Sequence, residues 1–329
     1  MKKRGRGIGS NLYGLGYGFS RPDHSAAVIE VADDGTATIL SGACDIGQGS
    51  DTVFCQIAAH ELGIPYEDVR VISADTAFTP DALASTASRQ TFVSGKAVLL
   101  AARDVKNHLL KYAATLLSCK QEDLSIKEGQ VISLQDSGKT MPFEELARLA
   151  HANGKQFIGF AWYDNPTIDV DPETNQGDAY SVYIYATQVV DVEVDTETGN
   201  ITVLRVGAAH DVGHAIHPMM VEQQVEGSVA QGIGYGMMEE VVLDKGITKT
   251  PSFTKYLIPT VLDMPPVETF IIEDPVERGP YGAKGVGEGA IIPTAAALAN
   301  AVYDAIGVRI RSLPITPEKV LAALEELNA

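Results

Sequence analysis

A single carboxylate, Glu288, stands among glycines in residues 282–289, just ahead of a predicted helix near Thr294. Glycine gives the backbone unusual conformational freedom, so such a loop can aim one side chain into a cleft. A carboxylate held beside a bound cofactor can take a proton from a reacting group, which is general base catalysis. A solvated surface glutamate is the alternative interpretation of the same residues.

Three loops pair small residues with the start of a helix: residues 47–50, 85–91 and 282–289. Helix N-termini carry free N–H groups and partial positive charge, which suit phosphates and other acceptors. The second loop is dense in hydroxyls, and Arg89 adds a guanidinium fork that matches a phosphate. Ordinary helix caps explain any one loop, whereas three loops favour a large anionic cofactor. Residues 282–289 lack the lysine placement of a P-loop, and the glycines around Gly7, Gly9 and Gly14 lack the strand-to-helix context of a dinucleotide fold.

Three histidines, His210, His214 and His217, offer a second chemistry. On a helix, His210 and His214 would share a face and suggest zinc. Gly213 and Pro218 instead predict a loop that follows a strand. Hydrogen-bonded loop histidines are therefore the favoured interpretation, and a zinc hydrolase is the rival.

Composition excludes several classes of protein. The net charge of −18 repels phosphate backbones, so nucleic acid is not an expected partner. The sequence has no apolar run of membrane-spanning length, and the basic start is not followed by the apolar stretch of a secretory signal. The three cysteines are too few to ligate one iron–sulfur cluster with four thiolates. A cytoplasmic location and no membrane partner are therefore expected.

Hydrophobic periodicity predicts a mixture of helices and strands over the 329 residues. The predicted strands are 26–31, 36–41, 69–73, 181–194 and 201–209. The predicted helices are 51–62, 95–118, 142–152, 219–235, 294–306 and 316–327. A polar, proline-containing stretch at 153–179 predicts a boundary between two domains, 1–155 and 156–329. The expected fold class is α+β, with two mixed α/β lobes and a cofactor cleft between them.

These motifs together resemble the molybdopterin-binding subunit of the xanthine oxidase and aldehyde oxidase family of molybdenum hydroxylases. In chain order the motifs are residues 42–49, 56–59, 75–76, 88–89, Gly95, 210–213, 231–234 and 282–288. The series matches only the second half of the family's usual catalytic subunit. It resembles the medium molybdopterin subunit of nicotinate dehydrogenase, in which two polypeptides share the molybdenum site. A shortened form of a longer chain would look the same.

The resemblance implies a role for each motif. Gln48 and Gly49 would contact the pterin or its pyrophosphate, Gln231 would approach the metal, and Glu288 matches the catalytic glutamate. The expected cofactor-binding residues are Gln48, Gly49, Ser85, Thr86, Ala87, Ser88, Arg89, Thr91, Gln231, Lys284 and Gly285. The pterin supplies the sulfur ligands, so no protein ligand to molybdenum is expected.

The resemblance also implies an activity and partners. The expected reaction is hydroxylation of an N-heteroaromatic substrate, nicotinate-like or purine-like, with oxygen derived from water and Glu288 as general base. An aldehyde oxidoreductase subunit is the alternative within the family, and a non-catalytic scaffold is a further alternative outside it. The cofactor would be molybdopterin in its cytosine dinucleotide form, with molybdenum. A large molybdopterin subunit, an iron–sulfur subunit with [2Fe-2S] clusters and an FAD subunit would be partners.

The chain departs from the family pattern after the predicted catalytic glutamate and within the predicted helix 219–235. Gly289 and Ala290 follow the glutamate where the family commonly has two prolines. This change predicts a less rigid loop. Gln223 and Ser228 stand where glycine is frequent in the family, which predicts an altered pocket.

Overall fold

A computed structural model describes residues 1–328 of the chain. The strands are β1 (Lys2–Gly14), β2 (His24–Val31), β3 (Ala37–Ser41), β4 (Val69–Ser73), β5 (Leu124–Lys127), β6 (Gln130–Ser133), β7 (Thr140–Pro142), β8 (Ile158–Asp164), β9 (Tyr183–Asp195), β10 (Ile201–Asp211), β11 (Leu243–Asp244), β12 (Ile247–Thr248) and β13 (Val267–Ile272). The helices are α1 (Ser50–Leu62), α2 (Gly95–Leu116), α3 (Phe143–Ala152), α4 (Pro218–Met237), α5 (Ile292–Ile306) and α6 (Pro317–Asn328). This mixture of helices and sheets confirms the predicted α+β class.

Contacts between Cα atoms divide the chain into two compact units. The first unit comprises residues 1–13, 183–274 and those from 286 onwards, and the second comprises residues 14–182 and 275–285. This division does not coincide with the predicted boundary after residue 155. Strand β8, which lies within the polar stretch 153–179, pairs with β2 of the second unit. Strand β1, at the start of the chain, joins the sheet that contains β9 of the first unit. The assignment of residues 1–155 and 156–329 to two cofactor-binding lobes stays a prediction.

The second unit is built on a sheet with strand order β4-β3-β2-β8. Strands β2 and β3 form the predicted hairpin, and Ile29 pairs with Ile39 on its fully buried face. Helix α2 packs against this sheet. The approach is close at Gly159 on β8, where a Cβ would lie 2.3 Å from the carbonyl oxygen of Ala101. Glycine at this position therefore lets the helix rest directly on the strand.

Helix boundaries in this unit follow the sequence signals. Helix α1 ends at Gly63, which adopts the left-handed conformation (φ 72°) and donates its N–H to Ala59. Glycine is the residue that reaches this conformation without a steric penalty. Helix α2 is preceded by a π-helical turn, Gln90–Ser94, that connects it to the hydroxyl-rich loop.

The first unit contains a sheet with strand order β1-β9-β10-β13. Strands β9 and β10 form the predicted antiparallel hairpin, and β13 adds in parallel beside β10. The buried core includes Val190, Val192, Val206, Val229, Leu298 and Val302, drawn from the sheet and from α4 and α5. Alternation along β9 places every second side chain in this core, as expected of a strand covered on one face.

Glycines on β1 allow α5 to lie against the strand backbone. A Cβ at Gly5, Gly7 or Gly9 would lie 2.2, 2.1 or 2.3 Å from the carbonyl oxygens of Ala301, Ala297 and Pro293, in that order. Two residues of strand rise about 6.6 Å and four residues of helix about 6 Å, so the two spacings match. These glycines, which lack a dinucleotide-fold context in the sequence, serve backbone packing.

The sequence pattern did not predict β1, β5–β8 or β11–β13. Glycines interrupt the apolar pattern of β1, and each of the other strands has seven residues or fewer. Within residues 1–328, no helix combines the length and apolar character needed to cross a bilayer.

Candidate functional site

The first predicted loop, at the start of α1, is organised by a carboxylate. Asp45 Oδ1 accepts the backbone N–H groups of Gly47 (2.8 Å) and Gly49 (3.4 Å), and Oδ2 accepts that of Asp51 (3.1 Å). The sequence predicted free N–H groups here, and the structure corrects that view because Asp45 occupies them. Gly47 and Gly49 have φ values of 107° and 83°, which only glycine adopts without strain.

Gln48 is fixed within the same loop. Its Oε1 accepts the N–H of Ile46 at 2.6 Å, and its Nε2 donates to the carbonyl of Cys44 at 3.0 Å and to Ser50 Oγ at 2.9 Å. These bonds hold the side chain in one orientation, so any ligand meets a preformed loop. Contact between Gln48 and a pterin stays a prediction.

The second loop, residues 85–91, contacts the first. Ser85 Oγ donates to the carbonyl of Cys44 at 2.5 Å, and Gln90 Nε2 donates to Ser85 Oγ at 2.8 Å. Ala87 and Ser88 both adopt φ of 53°, an uncommon conformation for residues with side chains. Such backbone is retained only where the surroundings fix it, and it frequently marks ligand-binding loops.

Arg89 is fully buried and faces protein acceptors. Its Nε donates to Asp23 Oδ1 at 2.6 Å, and its terminal nitrogens donate to the carbonyls of Ala82 (2.6 Å) and His24 (2.5 Å). Both Arg89 and Asp23 side chains have 0% exposure. The predicted direct contact between this guanidinium and a phosphate therefore has no support in the geometry. The ion pair instead fixes the shape of the 85–91 loop.

The third loop reaches the second loop at Gly285. A Cβ on Gly285 would lie 2.0 Å from the carbonyl oxygen of Ser88, so only glycine permits this contact. The adjacent Lys284 is buried, with 5% exposure. The second unit thus brings together residues 44–50, 85–91 and 283–285. Their role in cofactor binding stays a prediction.

The second unit also has an unsatisfied acceptor beside these loops. Gln90 Oε1 is buried and has no hydrogen-bond partner among the described residues, although Gln90 Nε2 contacts Ser85. A buried acceptor without a donor is rare in folded proteins and points to a missing partner. A cofactor with N–H donors and an anionic arm fits this combination of a free carbonyl, hydroxyls and a buried lysine.

Glu288 belongs to the first unit, where its carboxylate is exposed. The hydroxyl of Tyr13, at the end of β1, donates a hydrogen bond to Glu288 Oε2. No sequence pattern points to Tyr13, because the two residues are 275 positions apart. The structure therefore provides the predicted base with an orienting donor.

The backbone around Glu288 is anchored on both sides. Ser228 Oγ on α4 donates to the carbonyl of Gly287 at 3.3 Å, and Gln188 Nε2 on β9 donates to that of Ala290 at 2.7 Å. Ser228, a departure from the family pattern, thus contacts the glutamate loop. Hydrogen bonds fix the segment in which glycine and alanine replace the expected prolines.

Gln231 is exposed on α4, three residues after Ser228. Residues three apart lie on the same side of a helix, so Gln231 is on the side that contacts the glutamate loop. Its predicted approach to a metal stays a prediction.

The three histidines have separate roles. His210 is buried beside Gln188, His214 Nδ1 lies 3.0 Å from Glu273 Oε1, and His217 Nδ1 accepts the N–H of Met220 to cap α4. Burial lowers the pKa of His210 to about 4, so its ring is neutral at pH 7. Among residues 1–328 no three His, Cys, Asp or Glu side chains converge in a manner that could hold a metal ion. His210 lies within β10 rather than in the expected loop, whereas His214 and His217 follow that strand.

Comparison with known proteins identifies the family. A family model described as a molybdopterin cofactor-binding domain matches residues 1–265. The xanthine dehydrogenase molybdenum-binding subunit of Escherichia coli O157:H7 is 34% identical over 290 residues, which cover 87% of this chain and 37% of that subunit. The 6-hydroxypseudooxynicotine dehydrogenase complex subunit gamma of Paenarthrobacter nicotinovorans is 33% identical over 331 residues, with coverage of 99% and 40%.

Solved structures agree with the sequence relatives. The crystal structure of quinoline 2-oxidoreductase from Pseudomonas putida 86 superimposes with a TM-score of 0.89 and 31% sequence identity, covering 99% of this chain and 42% of that one. The chain thus spans less than half the length of these relatives. The match to the family model covers most of the chain, and relatives above 30% identity cover nearly all of it. The chain therefore belongs to the xanthine dehydrogenase family of molybdenum hydroxylases.

Proposed function

We propose that this chain forms part of the molybdenum-cofactor site of a hydroxylase that acts on an N-heteroaromatic substrate, with Glu288 as the general base. The observation that carries the proposal is the oriented carboxylate, which accepts a hydrogen bond from Tyr13 on a loop anchored at Gly287 and Ala290. The names of two relatives support the substrate class: quinoline 2-oxidoreductase and, at 31% identity, the nicotine 6-hydroxylase large subunit of Paenarthrobacter nicotinovorans.

The loops of the second unit would hold the cofactor. Hydroxyls and backbone groups of residues 85–91, with Gln48, Gly49, Lys284 and Gly285, would contact the pterin and the anionic arm, in a cytosine dinucleotide form. Arg89 would act indirectly, through its ion pair with Asp23, by keeping the loop in shape. Gln90 Oε1 would accept an N–H of the bound cofactor.

When bound, the molybdenum cofactor supplies a two-electron oxidation in which the oxygen added to the substrate derives from water. Glu288 takes a proton at its carboxylate as the new carbon–oxygen bond forms. Tyr13, by donating to Oε2, orients the carboxylate that takes this proton. A positioned base of this kind contributes about 10²–10⁴-fold to a rate.

Partner subunits would complete the enzyme. The chain's three cysteines cannot supply the thiolates of [2Fe-2S] clusters, so an iron–sulfur subunit and an FAD subunit would carry electrons onward. A larger molybdopterin-binding subunit would supply the part of the site that corresponds to the rest of the relatives' length. Purification of the native complex, followed by metal, nucleotide and subunit analysis, tests these assignments.

The decisive experiment on the base is Glu288→Gln in the assembled complex. Glutamine keeps the size and hydrogen-bonding capacity of the side chain but cannot take the proton. Molybdenum content and assembly are expected to survive, while reduction of the metal centre by substrate slows by about 10²–10⁴-fold in rapid-mixing spectroscopy. A matched control is Glu226→Gln, an exposed glutamate on α4. Near-normal reduction in Glu288→Gln would remove Glu288 from the mechanism and favour a scaffold subunit.

The substrate class needs its own measurement. A panel of quinoline-, nicotinate- and purine-type heterocycles beside simple aldehydes separates the proposal from an aldehyde oxidoreductase. Faster reduction by the aldehydes than by every heterocycle would contradict the proposed substrate class.

A further inference from the structure

We propose that Gln188 is a positioning residue for Glu288, acting through the backbone at Ala290. This inference rests on the proposed role of Glu288 as the base. Gln188 lies on β9, is fully buried, and donates a hydrogen bond to the carbonyl of Ala290, two residues after Glu288. Its influence would pass through the loop that carries Glu288.

Every hydrogen-bonding group of the Gln188 amide is used. Nε2 donates to the carbonyl of Ala290 at 2.7 Å and lies 3.3 Å from His210 Nε2, while Oε1 accepts the hydroxyl of Thr294 at 2.7 Å. Gln188 and Thr294 have 0% exposure, and His210 has 2%. The cluster thus joins β9, β10, the first turn of α5 and the glutamate loop away from water.

The contacts with Ala290 and Thr294 determine how the amide is oriented, and a neutral His210 is compatible with that orientation. Because burial lowers the pKa of this histidine to about 4, its Nε2 can accept a hydrogen bond at neutral pH. Both hydrogens of Gln188 Nε2 then have acceptors, and Oε1 has a donor. Rotating the amide by half a turn would place Oε1 against the Ala290 carbonyl and Nε2 against the Thr294 hydroxyl. The arrangement therefore has one favourable orientation.

The glutamate loop needs such an anchor because Gly289 separates Glu288 from Ala290. A Cβ at Gly289 would lie 2.6 Å from Ile184 Cδ1, so close packing with Ile184 favours glycine, whose backbone is intrinsically free. Ser228 holds the carbonyl before Glu288 and Gln188 holds the carbonyl two residues after it. Without the second anchor, the backbone that follows Glu288 loses its hydrogen bond to β9, and Tyr13 alone would have to orient the carboxylate against a looser loop.

The test compares variants in the assembled complex by rapid mixing with substrate. Gln188→Leu keeps the volume but removes all three hydrogen bonds. The rate of metal-centre reduction is expected to fall by about 10–100-fold, the loss typical of a displacement near 1 Å, while the apparent substrate affinity stays unchanged. Thr294→Val should give a smaller loss, and Thr294→Ser, which restores the hydroxyl, should recover the rate. The matched control is Val190→Ala, also fully buried on β9, two residues further along the strand.

A double variant separates this inference from the proposed function. If Gln188 acts through Glu288, Gln188→Leu combined with Glu288→Gln should be no slower than Glu288→Gln alone. A normal rate in Gln188→Leu beside a slow Glu288→Gln would overturn the positioning role alone. Losses that multiply in the double variant, or an equal loss in Val190→Ala, would also overturn it. A normal rate in Glu288→Gln would instead refute the proposed function.

Discussion

Acidification should weaken the first unit through His210. The ring is 2% exposed and contacts the uncharged amide of Gln188. Burial lowers its pKa in the folded chain to about 4, from a usual value of 6.5. As the pH falls, the unfolded chain therefore binds the proton first. The stability associated with the neutral ring is complete above pH 6.5 and is lost between pH 6.5 and about 4.

The size of this effect follows from the shift. One pKa unit corresponds to about 1.4 kcal/mol, so the full loss is about 3 kcal/mol below pH 4. Between pH 7 and pH 5 the loss is about 2 kcal/mol, or a 20- to 30-fold change in the unfolding equilibrium. A protonated ring would also present a donor to Gln188 Nε2, which is itself a donor.

Hydrogen exchange measured by mass spectrometry can isolate this contribution. Peptides from β9 and β10 report on the first unit, and peptides from α2 provide a control within the second unit. After correction for intrinsic exchange rates, protection of β10 should fall by about 20-fold from pH 7 to pH 5 in the native chain. His210→Gln removes the titration, so its protection should change much less over the same range. Equal pH dependence in the two proteins would refute the reasoning, since Asp211 and the other carboxylates are common to both.

Two further predictions concern reactivity and packing. Burial, with a smaller contribution from the charge of Asp51, raises the pKa of the Cys55 thiol to about 11. Alkylation at pH 8, followed by peptide mapping, should therefore be about 10²-fold slower at Cys55 than at Cys119. Equal alkylation rates would contradict the burial of Cys55. Gly7→Ala should lower the free energy of unfolding of the first unit by about 1–3 kcal/mol in urea, because the added Cβ meets the backbone of α5. The control Gly227→Ala on α4 adds a Cβ that meets no neighbour and should not cause this loss of stability. Similar losses in both glycine variants would refute the proposed contact.

Local signals predicted the helices and the main hairpins well. Helix α1 begins and ends within one residue of its predicted bounds because Gly63 and the apolar spacing are both local features. Strand β1 was missed because its alternate glycines offer no hydrophobic pattern, although they are what α5 requires. From the sequence alone, these glycines predict only a flexible backbone.

The candidate site was predicted in part, for a similar reason. The convergence of residues 44–50, 85–91 and 283–285 followed from glycines and hydroxyls placed before helices. The sequence predicts Arg89 as a phosphate ligand from its charge, because it does not reveal the pairing with Asp23, which lies 66 residues away. Tyr13 and Gln188 reach the glutamate loop only through the fold, so no spacing in the sequence could identify them.

The burial of Arg89 changes how the proposed cofactor loop would work. Removing one partner of a buried ion pair costs about 3–5 kcal/mol, so the Arg89–Asp23 pair firmly maintains the fold around the 85–91 loop. That pair and the cap by Asp45 neutralise two of the positive features that suggested an anionic ligand. Recognition of an anionic arm would then depend on Lys284 together with hydroxyls and backbone N–H groups in a fixed geometry. Such a loop selects by shape and hydrogen bonding, which suits a large cofactor better than a simple phosphate ion.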